Sequence, residues 1–151
     1  MTTKVPPQMA QGGPVFSAYR SGSQSITTTT WTKVQLNAET FDPDAKFDAA
    51  TNYRFQPTIA GYYQINGSAN FTSTGSVMAC GVAIYKNGAI AAPPSYAPLG
   101  GVAAMSIATL VYLNGSTDYV ELYAHINSSG TLNIAGGADA TAMSGHLVRA
   151  A

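Results

Sequence analysis

The chain has 151 residues, 46% of them hydrophobic and only 9% charged, and seven basic and seven acidic side chains cancel to a formal net charge of zero. That length suits one domain with a core of its own. The scarce, balanced charge excludes a phosphate-neutralising nucleic-acid surface and offers no basic patch to anionic membranes. Soluble domains typically carry about 25% charged residues, so a monomer this poor in charge has little colloidal protection and is expected to hide surface in an oligomer.

Residues 1–14 are polar and contain Pro6-Pro7 and Gly12-Gly13-Pro14, which block helix and predict an extended arm ahead of a domain at 15–151. Lys4, Val5, Met9 and Val15 are its candidate docking anchors. The arm lacks the apolar run of a signal peptide, so a chain that is not exported by a standard route is expected. No segment approaches the ~18 apolar residues of a membrane span, and no membrane insertion is expected.

From Val15 onward short β-type runs alternate with turn clusters. Phe16–Arg20, Thr30–Leu36 and Tyr53–Gln56 come first. In Gly61–Thr72, Tyr63, Ile65, Ala69 and Phe71 share one face, and Tyr62, Gln64, Asn66, Ser68, Asn70 and Thr72 share the other. Such alternation is a strand with one core face and one polar face. Val77–Lys86 and Val102–Leu113 are apolar on both faces and predict strands covered on both sides. Asn87-Gly88 and Asn114-Gly115 mark tight turns, because both residue types tolerate positive φ. Ala91–Gly101, with Pro93, Pro94 and Pro98, reads as an exposed loop. In Asp118–Asn127, Val120, Leu122, Ala124 and Ile126 form a core face against Tyr119, Glu121, Tyr123 and His125. Thr131–Ala135 and Thr141–Val148 complete roughly nine or ten strands, the pattern of a sandwich or barrel.

Five blocks in order then resemble the C1q/tumour-necrosis-factor-like domain. They are Phe16-Ser-Ala-Tyr-Arg20; Asn37 with Phe41-Asp42, Tyr53-Arg54-Phe55 and Gly61-Tyr62-Tyr63; Val82 to Gly88, ending Lys-Asn-Gly; Asp118-Tyr-Val-Glu-Leu122; and Ser144-Gly-His-Leu147. They span residues 15–148. The resemblance implies an all-β jelly-roll sandwich of about ten strands that forms a homotrimer. Ala60 stands where the family has proline, and no collagen-like repeat precedes the domain. The Asp-rich stretch Phe41-Asp-Pro-Asp44 and Phe47-Asp48 is similar to C1q-like domains of bacteriophage structural proteins. That likeness implies a virion protein assembled in the bacterial host cytoplasm. Its partners would be other capsid, fibre or tail components, and its role capsid decoration or host-surface recognition at a fibre tip. The alternative is a soluble or secreted recognition protein of the same fold that binds a protein or glycan.

Tyrosine buries ring area while its hydroxyl finds a partner, which suits interfaces. Tyr62, Tyr119 and Tyr123, with Val111 and Leu113, are therefore expected around the trimer axis. If a receptor is bound, the loops Ala91–Gly101 and Ile134–Thr141 are the expected carriers. No catalytic residue is expected: His125 and His146 are the only histidines, and neither has an evident nucleophile and orienting acid. No cofactor and no metal are expected either. Asp42, Asp44 and Asp48 share one loop with Lys46 between them, and Asx-type turns explain them better than calcium, which takes about six to eight oxygens. Cys80, the one cysteine, sits in an apolar run and reads as a small buried hydrophobe.

Overall fold

A computed structural model of the protein describes residues 12–72, 77–98, 103–129 and 132–151. The arm anchors Lys4, Val5 and Met9 lie outside the described residues. Among the described residues the structure is all-β. The strands in chain order are β1 (Val15–Tyr19), β2 (Gln24–Ile26), β3 (Thr32–Lys33), β4 (Ala38–Phe41), β5 (Phe47–Asp48), β6 (Arg54–Phe55) and β7 (Gly61–Thr72). There follow β8 (Val77–Lys86), β9 (Ala89–Ile90), β10 (Ser95–Pro98), β11 (Ala103–Leu113), β12 (Val120–Ser128), β13 (Leu132–Ile134) and β14 (Ala142–Ala150). Four of these are two-residue pairings, which leaves ten longer strands, as the sequence led us to expect.

They form two antiparallel sheets. In the first, β7 is the hub: it pairs with β11 along one edge and with β14 and β13 along the other. Beyond them come β1 and β4 on β14, and β2 on β13. The second sheet runs β10-β8-β12-β6-β5, with β3 on β12 and β9 on β8. The alternation in β7 is strict: Tyr63, Ile65, Ala69 and Phe71 are buried, and Tyr62, Asn66 and Thr72 are exposed. Phe16 and Tyr63 from the first sheet meet Phe47 and Phe55 from the second between the layers. The Phe16 ring stacks on Phe55 at 4.2 Å and on Phe47 at 5.3 Å, and Phe55 meets Tyr63 edge-on at 5.7 Å. The Tyr63 hydroxyl donates to the Ile59 carbonyl at 2.8 Å, so its burial leaves no orphan polar group.

Three expectations need correction. The strand expected over Thr30–Leu36 shrinks to Thr32–Lys33. The Gln24 side chain explains why: its amide donates to the Lys33 carbonyl, and its oxygen accepts from the Gln35 amide, so a side chain takes the place of a neighbouring strand. The loop expected over Ala91–Gly101 contains β10, which pairs with β8 from Ser95↔Val82 to Pro98↔Ala79. β10 is an edge strand, the position where proline is tolerated in a sheet. β11 is covered on one face only. Met105, Ile107, Val111 and Leu113 are buried, but Ala104, Ser106, Ala108, Leu110 and Tyr112 face outward and are exposed.

The two Asn-Gly signals are turns as expected. Asn87 and Gly88 both adopt positive φ between β8 and β9. At Asn114-Gly115 the Asn114 Oδ1 accepts the amides of Ser116, Thr117 and Asp118. Gly115 has φ +69°, and a Cβ there would meet the Ala60 backbone nitrogen at 2.4 Å, so both conformation and space require glycine. The aspartates of the Asp42–Asp48 stretch also act in turns. Asp42 Oδ2 accepts from the Phe47 amide, and Asp48 accepts from the amides of Ala50, Thr51 and Asn52 and from the Asn52 side chain.

Those bonds, led by the Thr51 amide, pull the Asp48 carboxyl from its ordinary 3.8 down to about 2. A depressed folded-state value means that the stability Asp48 contributes is complete above about pH 4 and is lost as pH falls towards 2. The thermal midpoint of wild type should therefore drop across that window more steeply than that of Asp48→Asn. Parallel curves would show that Asp48 contributes nothing to acid sensitivity.

Candidate binding surfaces

Two outward faces of the sandwich differ in chemistry. On the first sheet, β7, β11 and β14 present a face whose large exposed side chains are Tyr62, Leu110 and Tyr112, with Val148 at the β14 bulge. Leu110 and Val148 are 56% and 55% exposed. Tyr112 lies opposite Tyr62 in the pairing register, with ring centroids 5.5 Å apart. The remaining outward positions of these strands are short or amide side chains (Gln64, Asn66, Ser68, Ala104, Ser106, Ala108, Ser144) and His146. Charge begins only at the margin: Arg149 pairs in register with Tyr62, and the Lys86 ammonium donates to the Tyr112 carbonyl. A monomeric surface rarely leaves so much apolar area together without a use.

The second sheet carries an aromatic face. Tyr85 on β8, Tyr96 on β10, and Tyr123 and His125 on β12 point outward, and Trp31 reaches over them from the segment ahead of β3. Tyr85 and Tyr123 stack at 3.8 Å. Burial, followed by the neighbouring Glu121 charge, pushes the Tyr123 phenol up to about 12. Glu121 is buried and pairs with the Lys33 ammonium at 2.5 Å. Burial lowers the His125 imidazole, against a hydrogen bond with the Thr29 backbone that partly offsets it.

The interface residues expected from sequence do not converge. Val111 and Leu113 belong to the core, 8% and 0% exposed, so they cannot line an axis between subunits. Their run is apolar on both faces, and periodicity alone could not choose the buried one. Pairing with β7 does so, because Val111 lies opposite Tyr63 and Leu113 opposite Gly61. Tyr62 is on the first sheet and Tyr123 on the second, so they face opposite sides of the molecule. Tyr119 lies under the Arg54 guanidinium, 4.2 Å from the ring centroid. Leu110, Tyr112 and Val148 were missed for the complementary reason: the sequence marks them as hydrophobic and so as core. Val15 opens β1 opposite His146, and the Pro14 carbonyl accepts from the Leu147 amide, so the end of the arm is held against β14.

Among the described residues no three His, Cys, Asp or Glu side chains converge as metal ligands would. Ser144 and His146 both point outward from β14 among neutral side chains. Cys80 is buried in the core, and burial pushes its thiol up to about 11. A thiol of that kind is inert. Native protein should therefore fail to react with a thiol-specific disulfide reagent at pH 8, and one thiol per chain should react after unfolding. Rapid native labelling would contradict this placement.

No family model matches the sequence, and neither does any curated protein. Solved structures do match. The globular domain of zebrafish complement 1qA protein is similar over 91% of this chain and 98% of its own, with TM-score 0.60 and 15% identity. Murine APRIL is similar over 89% of this chain and 98% of its own, with TM-score 0.68 and 10% identity. Eiger TNF from S. frugiperda is similar over 91% of this chain and 95% of its own, with TM-score 0.62 and 9% identity. Strand order, layering and these likenesses agree that the chain folds as a C1q/tumour-necrosis-factor-like jelly roll.

Proposed function

We propose that this chain is a non-enzymatic binding module that assembles as a homotrimer through the outward face of its first sheet and serves on a bacteriophage particle. The observation that carries the assembly is the uncharged face bearing Tyr62, Leu110, Tyr112 and Val148 on a chain with only 9% charged residues. Packing copies around a closed rotation axis covers that face in every subunit and leaves none of it to propagate aggregation. The virion setting is supported by the likeness of Phe41-Asp-Pro-Asp44 and Phe47-Asp48 to phage C1q-like domains. In that setting residues 1–14 dock on a capsid, fibre or tail component, and the jelly roll decorates the capsid or recognises the host surface.

Light scattering tests the assembly. Wild type should have about three times the chain mass of 15.6 kDa, with and without residues 1–14. Leu110→Glu combined with Val148→Glu should give folded monomers, because three subunits would then crowd like charges into one apolar contact. A wild-type monomer, or a trimer that survives both glutamates, rejects this interface. Antibodies against the chain should label purified phage particles from the host that produces it. Label confined to the host cells rejects the virion setting.

A further inference from the structure

We infer that the aromatic face of the second sheet is a carbohydrate-binding platform for a neutral oligosaccharide. The inference rests on the binding-module reading, but it requires neither the trimer nor the virion. Its construction starts at Gly81, on the outward side of β8. Gly81 lies opposite Tyr96 on one flank and His125 on the other. A Cβ at Gly81 would meet the Tyr96 ring at 2.7 Å, so glycine lets that ring lie down across the strand. Its outward neighbour on the strand, Ala83, carries only a methyl group and is fully buried beneath the side chains around it.

Trp31 joins the group, with its ring 5.1 Å from His125, 5.5 Å from Tyr96 and 6.2 Å from Tyr85. The Tyr85–Tyr123 stack continues the surface. Tyr96 remains 51% exposed. An aromatic face is electron-rich, and the C–H bonds on one side of a pyranose carry the complementary partial charge, so the two stack. At the edges of the rings stand polar groups that can meet sugar hydroxyls: the Tyr85 phenol and the Tyr96 phenol, which accepts from the Trp31 indole N–H. His125 Nδ1 lies buried beneath them, with no hydrogen-bond partner among the described residues.

Charge selects among possible occupants. Lys33 is charge-paired with Glu121, and the Arg54 guanidinium, still charged, lies against the Tyr119 ring and bonds Gln56. Among the described residues around the rings, the one carboxylate, Glu121, is buried and paired, and no cluster of cations gathers to hold a phosphate or an acidic sugar. Among the described residues the second sheet exposes one large aliphatic side chain, Ile90 on β9, against Leu110 and Val148 together on the other sheet.

Trp31 is the one tryptophan in the chain, so its emission reports directly on the platform. The full-length protein is titrated with maltotetraose, cellotetraose, chitotetraose and mannotetraose, each to about 10 mM, in excess over a weak millimolar Kd. At least one should shift the emission saturably. Tyr96→Ala should weaken that sugar about tenfold, the order of one lost ring contact. Tyr96→Leu, which keeps bulk but removes the π face, should do the same with far-UV circular dichroism and molar mass unchanged. Glu39→Gln, exposed on β4 of the other sheet, should bind normally. No saturable shift with any of the four sugars, or a shift that both Tyr96 variants retain, overturns the inference. The trimer proposal is read separately, from mass alone.

Discussion

Replacing Phe55 with alanine should remove about 3–5 kcal/mol of folding stability. Phe55 is fully buried and stands where the two sheets meet. It stacks on Phe16 from the first sheet and meets Tyr63 edge-on, so its ring fastens one layer to the other. Alanine loses the transfer energy of the ring and leaves a cavity that flanking strands, fixed by their own pairing, cannot close. Domains have about 5–15 kcal/mol in total, so the variant should unfold at much lower urea or be recovered largely unfolded. Phe55→Leu keeps most of the volume and should cost about 1.5 kcal/mol. Urea unfolding followed by circular dichroism, at one protein concentration because assembly raises apparent stability, measures both. An alanine variant with the wild-type midpoint would contradict the stacked core.

Lys33→Met should be the second most damaging of the changes considered, at about 2–3 kcal/mol. Glu121 is 4% exposed and Lys33 is 35% exposed, so the two ends of this ion pair respond differently to loss of a partner. Removing lysine strands a carboxylate under Tyr123, away from water. Removing the acid instead, as Glu121→Gln, leaves an ammonium that turns out to solvent, and should cost only about 1 kcal/mol. The range for Lys33→Met lies below the usual cost of breaking a fully buried pair because the lysine is partly solvated. Lys33→Met combined with Glu121→Met should recover most of the loss, since apolar replacement of both partners is often nearly neutral. Equal costs for the two single variants would show that the pair behaves as an exposed one.

The strands that alternate cleanly were legible in the sequence. β7 and β12 were read to within a few residues, because burial on one face writes a period of two into the chain. The turns at Asn87-Gly88 and Asn114-Gly115 were equally plain, since few residues accept positive φ. Less legible was anything decided by pairing between distant segments. β10 hides among prolines because an edge strand needs no inward amide from them. Gln24 replaces strand pairing at Lys33 and Gln35, which no local pattern announces. The tyrosines were correctly assigned to non-core faces, but which sheet each face belongs to depends on jelly-roll connectivity. Val111 and Leu110 are adjacent hydrophobics with opposite fates, and only the partner strand separates them. The aromatic platform is assembled from four separate segments, so no single motif encodes it.

The pairing of the first long strand with the last has a mechanical consequence. β1 runs antiparallel to β14, with Val15 opposite His146, and the Pro14 carbonyl accepts from the Leu147 amide, so the start of the domain and its end leave from the same rim. A nascent chain cannot close this sheet until β14 emerges, because the partner of β1 is the last strand of the domain. A pull applied between the two ends would then strip β1 from β14 one hydrogen bond at a time, like a zip, instead of shearing the whole seam at once. A load borne through one terminus alone would spare that seam.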